Sequence, residues 1–354
     1  SDIDASGTSE WNGGDGFEPI GDRRDPESFT GILDGNGMVI ENLTIDRTDE
    51  TRVGLFDRIW NGGSVENVVL NEVTVRGDFR VGGIAGLVRG GTVEDSAVNG
   101  TVAGSTSIGG VVGTLFNIEG SITQDPVRSS LSGSFASGNV TGSSGRAGGI
   151  VGLSRGTVRE TYATASVRSD SFVGGIVAIN GNEGIVRESY AAGEVTGNDY
   201  VGGIGGQSGG EVTEAYWDTE ATNQQTGIGL GSGGANVEGL TTEEMTGDEA
   251  RGNMTGFDFG TIWVTTDTYP QLLWSVEGIG LDAPETLTVG ETAPAPSFFG
   301  IVDGSTPSVT SLANYSSSDT GVITVSSPLE AVGEGSSTVT AEYLGFSDSE
   351  MVEV

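Results

Sequence analysis

The sequence contains no cysteine, no histidine and no lysine, and each absence excludes a class of chemistry. Without cysteine the chain forms neither disulfides nor thiolate metal sites. Without histidine it lacks the usual general base, the usual zinc ligand and the Ser-His-Asp triad. No apolar run approaches the ~18–20 residues of a membrane-spanning helix, and no signal-peptide pattern occurs. The sequence starts at Ser1 rather than at a methionine, as we expect of a processed secreted protein or of the ordered part of a longer chain.

Acidic residues greatly outnumber basic residues in the sequence. Aspartate and glutamate number 50, the 15 basic residues are all arginine, and the net charge is −35. Such a body repels itself in dilute salt, whereas at molar salt the Debye length falls to ~3 Å and the repulsion is screened. The composition therefore predicts a haloarchaeal protein adapted to very high salt, with an acidic, calcium-rich marine surface protein as the alternative. The same charge argues against nucleic acid and anionic lipid as partners.

A glycine-rich tag recurs six times in the first two thirds of the chain. The copies are Val53–Phe56, Val81–Leu87, Ile108–Thr114, Ala147–Leu153, Val173–Ile179 and Val201–Gln207. Their first residues are 28, 27, 39, 26 and 28 residues apart, and the long step contains an insertion near residues 117–126. Matching second segments follow at Thr92–Ala97, Thr157–Tyr162, Ile185–Tyr190 and Glu211–Tyr216, and third segments at Ala165–Arg168 and Gly193–Thr196. A fixed period of this length indicates a repeat architecture.

The physical chemistry of one repeat predicts an all-β solenoid. Short runs that alternate Val, Ile and Thr favour strands, and glycines at fixed offsets permit corners that a Cβ forbids. One repeat cannot bury its own apolar face, whereas stacked repeats bury a continuous one. With strands ~4.8 Å apart, six turns give a core roughly 30 Å long. Equivalent side chains are then expected in columns, one of which comprises Val69, Ala97, Phe135, Tyr162, Tyr190 and Tyr216. The alternative, a β-sandwich of short hairpins, would not keep this period.

Several segments resemble the GLUG-repeat family, named for its G-L-x-G type motif. The matching segments, within residues 1–275, are Asp2–Asp4, Gly16–Gly21, Phe29–Gly31, Leu33–Gly35, the six tags, Ser189–Ala191 and Tyr216–Asp218. The resemblance implies a right-handed parallel β-solenoid in a large secreted or surface-attached prokaryotic protein, often adhesin-like, with no defined catalytic residues. Family members usually have a strand before the segment equivalent to Asp2–Asp4, so we expect the N-terminal face of the solenoid to be uncapped.

The C-terminal part of the chain differs in character. Thr241–Met245 carries the Thr-x-x-Glu capping box of a short helix that should end near Gly252, and Phe257–Trp274 is expected to return to strand and cap the solenoid. About seven short strand-like runs between residues 279 and 354 predict an immunoglobulin-like sandwich. This part resembles the bacterial Ig-like group 2 family, whose modules serve as spacers and stalks on surface proteins. We predict a solenoid over residues 1–217, a cap and linker over 218–278, and the sandwich over 279–354.

Candidate sites in the sequence are few and weak. With 50 acidic residues, neighbouring carboxylates are expected by chance, so no catalytic or cofactor-binding residue is predicted. Arg159 and Arg187, each beside a glutamate, favour a stacked ladder on an exposed face over a lyase site. Asp34 and Asn36 are weak calcium ligands in a segment that lacks the spacing of an EF-hand loop, so a tight turn is favoured. Glycosylation sequons occur at Asn42, Asn99, Asn139, Asn253 and Asn314, and two of them, Asn99 and Asn139, are expected at similar places in their repeats.

The predicted function is that of an extracellular structural or adhesive cell-surface protein, possessing no enzymatic activity. A sharper form of this hypothesis is a subunit of a head-to-tail filament, because an open solenoid end offers unpaired strand edges that a second copy can cover. Candidate assembly residues are Asp2, Ile3, Asp4, Val352 and Val354. The predicted partners are copies of the chain, other surface proteins or glycans. The alternatives are a polysaccharide-active enzyme and a carbohydrate- or partner-binding module that uses Trp11 and Trp60.

Overall fold

The computed structural model describes residues 2–21, 28–120, 125–231, 233–325 and 328–354. The chain forms two compact units. The first comprises Ser1–Thr242 with Met254–Gly256, and the second comprises Glu243–Asn253 with Phe257–Val354. Each is described below by itself.

The first unit is a parallel β-solenoid built from three sheets, which confirms the predicted fold class. In the described residues, sheet 1 contains Ile3–Asp4, Ile32–Asp34, Val39–Glu41, Thr44–Asp46, Ser64–Glu66, Val69–Arg76, Thr92–Glu94, Ala97–Gly104, Ser130–Ser132, Phe135–Gly142, Thr157–Ala163, Ser166–Arg168, Ile185–Ala191, Val195–Thr196, Glu211–Asp218 and Val237–Leu240. Sheet 2 contains Phe56–Trp60, Ala85–Arg89, Val112–Phe116, Val151–Ser154, Val177–Asn180, Gly205–Ser208 and Ile228–Leu230. Sheet 3 contains Thr51–Val53, Phe79–Gly82, Thr106–Gly109, Ala147–Gly148, Ser171–Gly174 and Asp199–Gly202.

The strand register follows the tags. The first residues of the six tags pair in succession across sheet 3, from Val53 with Val81 to Val173 with Val201. The predicted column from Val69 to Tyr216 is also a register column of sheet 1. Within it the Phe135 and Tyr162 rings stack at 4.7 Å, and Tyr162 and Tyr190 stack at 5.1 Å. Repetition in the sequence therefore sets the register directly.

Columns of aliphatic side chains fill the interior of the solenoid. One column contains, from turn to turn, Val65, Val93, Leu131, Val158, Val186 and Val212, all of them buried. Such residues are stiff at χ1 and pack well on a pleated surface. Because each turn buries its apolar face only against its neighbours, the core is continuous along the stack. Two strands, Ile228–Leu230 and Val237–Leu240, add to sheets 2 and 1 beyond the last tag, so the stack extends further than the tags alone predict.

The residue before most tags turns the chain in a left-handed conformation. It has positive φ in the described residues at Arg52, Arg80, Ser107, Phe172 and Tyr200. The backbone of this residue is contacted from the following turn, by the third glycine of that turn's tag. A Cβ on Gly152, for example, would stand 2.5 Å from the carbonyl carbon of Ser107. The tag at Val173 has Ala178 instead of this glycine, and the corner one turn earlier, at Arg146, does not have positive φ.

The N-terminal coil departs from the regular repeat. A 3-10 helix with a kink spans Ser6–Gly14. Its Thr8 hydroxyl accepts a hydrogen bond of 2.9 Å from the Thr44 backbone, which ties the helix to the coil. The predicted insertion near residues 117–126 includes 121–124, which lie outside the described residues. Its flanks meet through an antiparallel bridge between Ile118 and Val127.

The second unit is antiparallel, in agreement with the predicted sandwich. Its described strands are Trp263–Val264, Gln271–Leu272, Val276–Leu281, Thr292–Ala293, Ser297–Ile301, Asn314–Ser317, Ile323–Val325, Leu329–Ala331, Ser336–Tyr343 and Phe346–Glu353. The predicted helix is divided into a 3-10 helix, Glu243–Met245, and an α-helix, Glu249–Asn253, and a further 3-10 helix spans Leu273–Ser275. Strand is shorter than expected between residues 257 and 274, and within the predicted sandwich residues 287–291 form a turn that follows an isolated bridge at Thr286.

Candidate functional site

Two predicted assembly residues, Ile3 and Asp4, form an end strand of sheet 1, and the third N-terminal candidate, Asp2, directly precedes that strand. Ile3–Asp4 pairs on one side with Val39–Glu41, and Ile32–Asp34 pairs on one side with Ser64–Glu66. Among the described residues each of these two strands has a single partner strand in the sheet. We call the surface that they form the N-terminal edge. The strand edges there carry unpaired backbone groups of the kind that accept a further strand.

Exposed apolar side chains are concentrated at this end of the chain. Ile3 is 53% exposed and Ile32 is 74% exposed. Of the 11 large exposed hydrophobic residues in the described part of the chain, five lie before residue 40: Ile3, Trp11, Ile20, Ile32 and Met38. Scattered exposed apolar residues need no explanation, but their grouping in one coil beside open strands indicates an interaction surface.

The two acidic assembly candidates have local structural roles. The Asp2 carboxylate accepts a hydrogen bond of 3.0 Å from the Val39 backbone, and the Asp4 carboxylate accepts one of 2.9 Å from Ser6. The bond from Ser6 lowers the pKa of Asp4 below its ordinary value. These carboxylates therefore order the coil, and the exposed apolar side chains of the N-terminal edge are those of Ile3 and Ile32.

The C-terminal assembly candidates do not form a free strand edge. Val352 is fully buried in the core of the second unit. The backbone of Val354 exchanges two hydrogen bonds with Gly335, of 2.8 and 3.0 Å. On the other side of the strand, Glu353 bonds through its N–H to Glu285 and through its carbonyl to Leu287. Because backbone hydrogen bonds occupy both sides of the segment at Glu353 and Val354, this segment offers a second copy no open edge there.

Asp34 and Asn36 form the predicted tight turn. The Asp34 carboxylate accepts hydrogen bonds from the Asn67 side chain at 3.0 Å and from the Asn36 backbone at 2.8 Å, and these bonds lower its pKa. Asn36 adopts the left-handed conformation that such turns require. In the described residues no group of three acidic side chains is placed to hold a metal ion. The turn accounts for both residues without a bound cation.

The five sequons differ in accessibility. Asn139 and Asn314 are exposed, whereas Asn42, Asn99 and Asn253 are half-buried. The side-chain amide of Asn99 donates to the Asn71 side chain at 2.8 Å, and that of Asn253 donates to the Glu244 carbonyl at 3.2 Å. Asn99 and Asn139 lie on neighbouring strands of sheet 1, two positions out of register, because Asn99 pairs with Ser137 and Asn139 pairs with Thr101. Accessibility therefore favours Asn139 and Asn314 as acceptors.

Carboxylates occupy left-handed corners along one edge of the solenoid. Asp95, Glu160, Glu188 and Glu214 follow register-equivalent residues of sheet 1 and have positive φ. Glu160 bonds Arg159 at 2.6 Å, and Glu188 lies 3.9 Å from Arg187, so the predicted Arg/Glu ladder coincides with these corners. Burial, followed by neighbouring acidic charge, raises the pKa of Asp95 to about 6. Burial also raises the pKa of Glu188.

The aromatic binding candidates are only partly suited to a ligand. Trp60 lies between two guanidinium groups, with Arg58 at 4.8 Å and Arg89 at 5.2 Å from its ring centroid. Trp11 is 52% exposed. The sequence-based reasoning missed Tyr200, which is 45% exposed and stacks on Phe172 at 4.8 Å. The sequence signal that could have identified Tyr200 is an aromatic residue directly before a tag, at a position where earlier repeats have arginine or serine.

Comparisons with known proteins give two relatives. Halomucin of Haloquadratum walsbyi is 35% identical over 312 residues, which cover 80% of this chain and 3% of Halomucin. A putative Gly-rich membrane protein of Evansella cellulosilytica is 43% identical over 67 residues, 18% of this chain and 8% of that protein. The chain thus spans less than a tenth of the length of either relative.

The other comparisons give no match. No family model matches the chain, so its resemblances to the GLUG-repeat and bacterial Ig-like group 2 families stay predictions. No solved structure matches it. Within the ranges that the structure describes, no helix is long and apolar enough to cross a membrane.

Proposed function

We propose that this chain is a structural module of an extracellular cell-surface protein of a halophilic prokaryote. Its similarity to Halomucin of Haloquadratum walsbyi supports this origin. So does a net charge of −35 without any lysine, because such a charge is tolerable at molar salt. A solenoid is suited to this role, because it lengthens by the addition of turns and each turn packs only against its neighbours. We assign it no enzymatic activity.

The N-terminal edge carries the finer proposal, which is self-association end to end. Two terminal strands expose backbone groups beside Ile3 and Ile32, and covering them with a strand of a second copy satisfies both the hydrogen bonds and the apolar surface. A contact between unlike ends is heterologous and propagates into a filament. The buried Val352 argues that the covering strand comes from elsewhere in the second copy than the C-terminal strand.

The test compares the unsubstituted protein with Ile32→Asp and Ile3→Asp in molar NaCl. Light scattering after size exclusion measures association, and negative-stain electron microscopy shows whether fibres form. We expect concentration-dependent filaments from the unsubstituted protein and at least tenfold weaker association in Ile32→Asp, because a charge replaces an exposed apolar contact. A parallel sample with calcium should behave identically, since Asp34 and Asn36 are satisfied within their turn.

Met351→Asp is the matched control, because Met351 is an exposed apolar residue of the second unit. It should associate like the unsubstituted protein. Monomers at the highest soluble concentration would contradict self-association, and equal association of all variants would contradict the N-terminal edge.

The remaining predictions belong to the same proposal. The second unit would be an immunoglobulin-like spacer, with a boundary near residue 279 and a cap and linker before it. Asn139 and Asn314 would carry glycans, because they are the exposed sequons. Mass spectrometry of glycopeptides from the native organism checks this, and glycans confined to the half-buried sequons would contradict it.

A further inference from the structure

The Tyr200 ring ends an aromatic stack on the surface of the solenoid. Phe172 covers one of its faces at 4.8 Å with an interplanar angle of 20°, yet Tyr200 remains 45% exposed. Tyr200 belongs to Asp199–Gly202, which is the last strand of sheet 3 in the described residues. We propose that Tyr200, supported by Phe172, is a platform that binds a neutral sugar ring of a glycan.

The fold itself does not require aromatic residues at these two corners. The equivalent positions of earlier turns hold Arg52, Arg80, Ser107 and Arg146. A left-handed conformation is uncommon for a bulky residue, and Phe172 and Tyr200 adopt it with φ of 50° and 53°. Ser107 forms the same corner with φ of 60°. Two stacked rings therefore stand where a small polar residue suffices, which points to a role outside folding.

Hydrogen-bonding side chains are present on the same two turns as the platform. Asp170, Asn198 and Asp199 are all exposed and lie on the two turns that carry the rings. The backbone N–H groups of Asn198 and Asp199 both bond the Asp170 carbonyl, at 2.9 and 3.2 Å, which holds the two turns in place. Carboxylates accept hydrogen bonds from hydroxyl groups, and an amide both donates and accepts. An exposed ring face with such groups on the same turns matches a sugar, which has C–H groups on its faces and hydroxyls at its rim.

The charged groups of the protein limit which class of sugar the platform can bind. At molar salt the net charge is screened, so only Asp170 and Asp199, on the turns of the platform, oppose a uronate or a sulfated glycan, and they do so at contact distance. At molar salt the Debye length of ~3 Å also weakens the attraction of an organic cation. Ring stacking and hydrogen bonds persist under these conditions, so a neutral glycan is the ligand that the site favours. A shallow platform buries little area, and we expect a Kd on the order of 1 mM.

Saturation-transfer NMR in molar NaCl tests the proposal with neutral hexasaccharides of glucose, mannose and galactose. Tyr200→Ser introduces serine, the residue type that forms the equivalent corner of an earlier turn at Ser107. We expect at least one neutral hexasaccharide to bind, with an affinity at least tenfold lower for Tyr200→Ser and about threefold lower for Phe172→Ser. Tyr200→Phe, which keeps the ring, should bind within about twofold of the unsubstituted protein. Trp11→Ser, a change at another exposed aromatic residue, should leave binding unchanged.

Three results would overturn the proposal. They are the absence of binding by every neutral hexasaccharide, full binding by Tyr200→Ser, and tighter binding of hexagalacturonate or tetramethylammonium. Far-UV circular dichroism verifies that each variant folds. If Tyr200→Ser does not fold, Tyr200→Arg takes its place in the comparison, because arginine forms the equivalent corner at Arg80. The readout is ligand binding, so it is independent of whether copies of the chain associate end to end.

Discussion

Glycine has different roles in the two compact units. In the solenoid, most tag glycines lie against backbone of the same or an adjacent turn, so that a Cβ on Gly152 would stand 2.5 Å from a carbonyl carbon. In the second unit, Gly278, Gly290, Gly304 and Gly345 have no atom within 4 Å of such a Cβ. Three of these four have positive φ and form turns. The tag glycines of the solenoid are therefore needed for packing, whereas three of these four glycines of the second unit are needed for local backbone conformation.

The two units also pair their strands by different rules. A solenoid strand pairs in parallel with its equivalent one turn away, so one repeated motif specifies every register. In the second unit, Ser336–Tyr343 pairs with Phe346–Glu353 through a tight hairpin, and each other pair has a register of its own. A fault in one solenoid turn should consequently affect its neighbours, while a fault in the second unit should stay within that unit.

Gly152→Ala should have the largest effect, because its Cβ meets the Ser107 backbone, which cannot yield as a side chain can. We expect a loss of about 3 kcal/mol in solenoid stability. Thermal unfolding in molar NaCl, followed by far-UV circular dichroism, measures it. Ala178→Gly removes the one alanine at this tag position and should cost about 1 kcal/mol or less.

Gly278→Ala is the corresponding change in the second unit. It has open space and no positive φ, so its effect should be within about 0.5 kcal/mol. If Gly152→Ala and Gly278→Ala proved equally tolerated, the packing role of the tag glycines would be refuted.

Val158→Ala and Val352→Ala sharpen the comparison of strand pairing. Both side chains are fully buried, and each substitution should cost about 2 kcal/mol. Hydrogen exchange should show faster amide exchange in the turns on both sides of Val158, since Leu131 and Val186 lie in its column. For Val352→Ala, faster exchange should be limited to the second unit. Exchange limited to the single substituted strand in the solenoid would contradict the column model.

Asp95→Asn should have the smallest effect. Because the folded pKa of Asp95, about 6, exceeds its ordinary value of 3.8, ionised Asp95 destabilises the fold above pH ~6, and this cost disappears as the pH falls toward 4. The variant should be more stable than the unsubstituted protein at pH 7, by less than about 1 kcal/mol for this partly exposed group, and equally stable near pH 4. Melting temperatures between pH 4 and 7 measure the difference. Asn67 occupies the equivalent corner one turn earlier, so asparagine fits there. A difference that did not vary with pH would show that the carboxylate is not the cause.

The repeat part of the fold was predictable from the sequence because the tags are both the sequence signal and the register. The pairing of Ala147 with Val173 and the stack of Tyr162 on Tyr190 follow from alignment of the repeats alone. The second unit was less predictable. Phe346–Glu353 forms a long strand although its sequence lacks an apolar alternation, since its pairing partner, Ser336–Tyr343, is supplied by the tertiary fold.

The candidate sites were predictable only in part. An exposed Ile3 was expected from the sequence, but a buried Val352 was not, because a C-terminal position says nothing about packing. The tight turn at Asp34 followed from its Asp-Gly and Asn-Gly pairs. Tyr200 was missed because its exposure depends on which strand ends sheet 3.

By itself, the sequence determined the solenoid, its period, its aromatic column and its acidic character, because these depend on repetition and composition. The tertiary structure alone decided which corners become left-handed, which glycines touch backbone, and which aromatic ring stays exposed. Corners such as Glu160 and Tyr200 adopt a conformation that their residue types disfavour, and they do so because closure of each turn onto its neighbours overrides local preference.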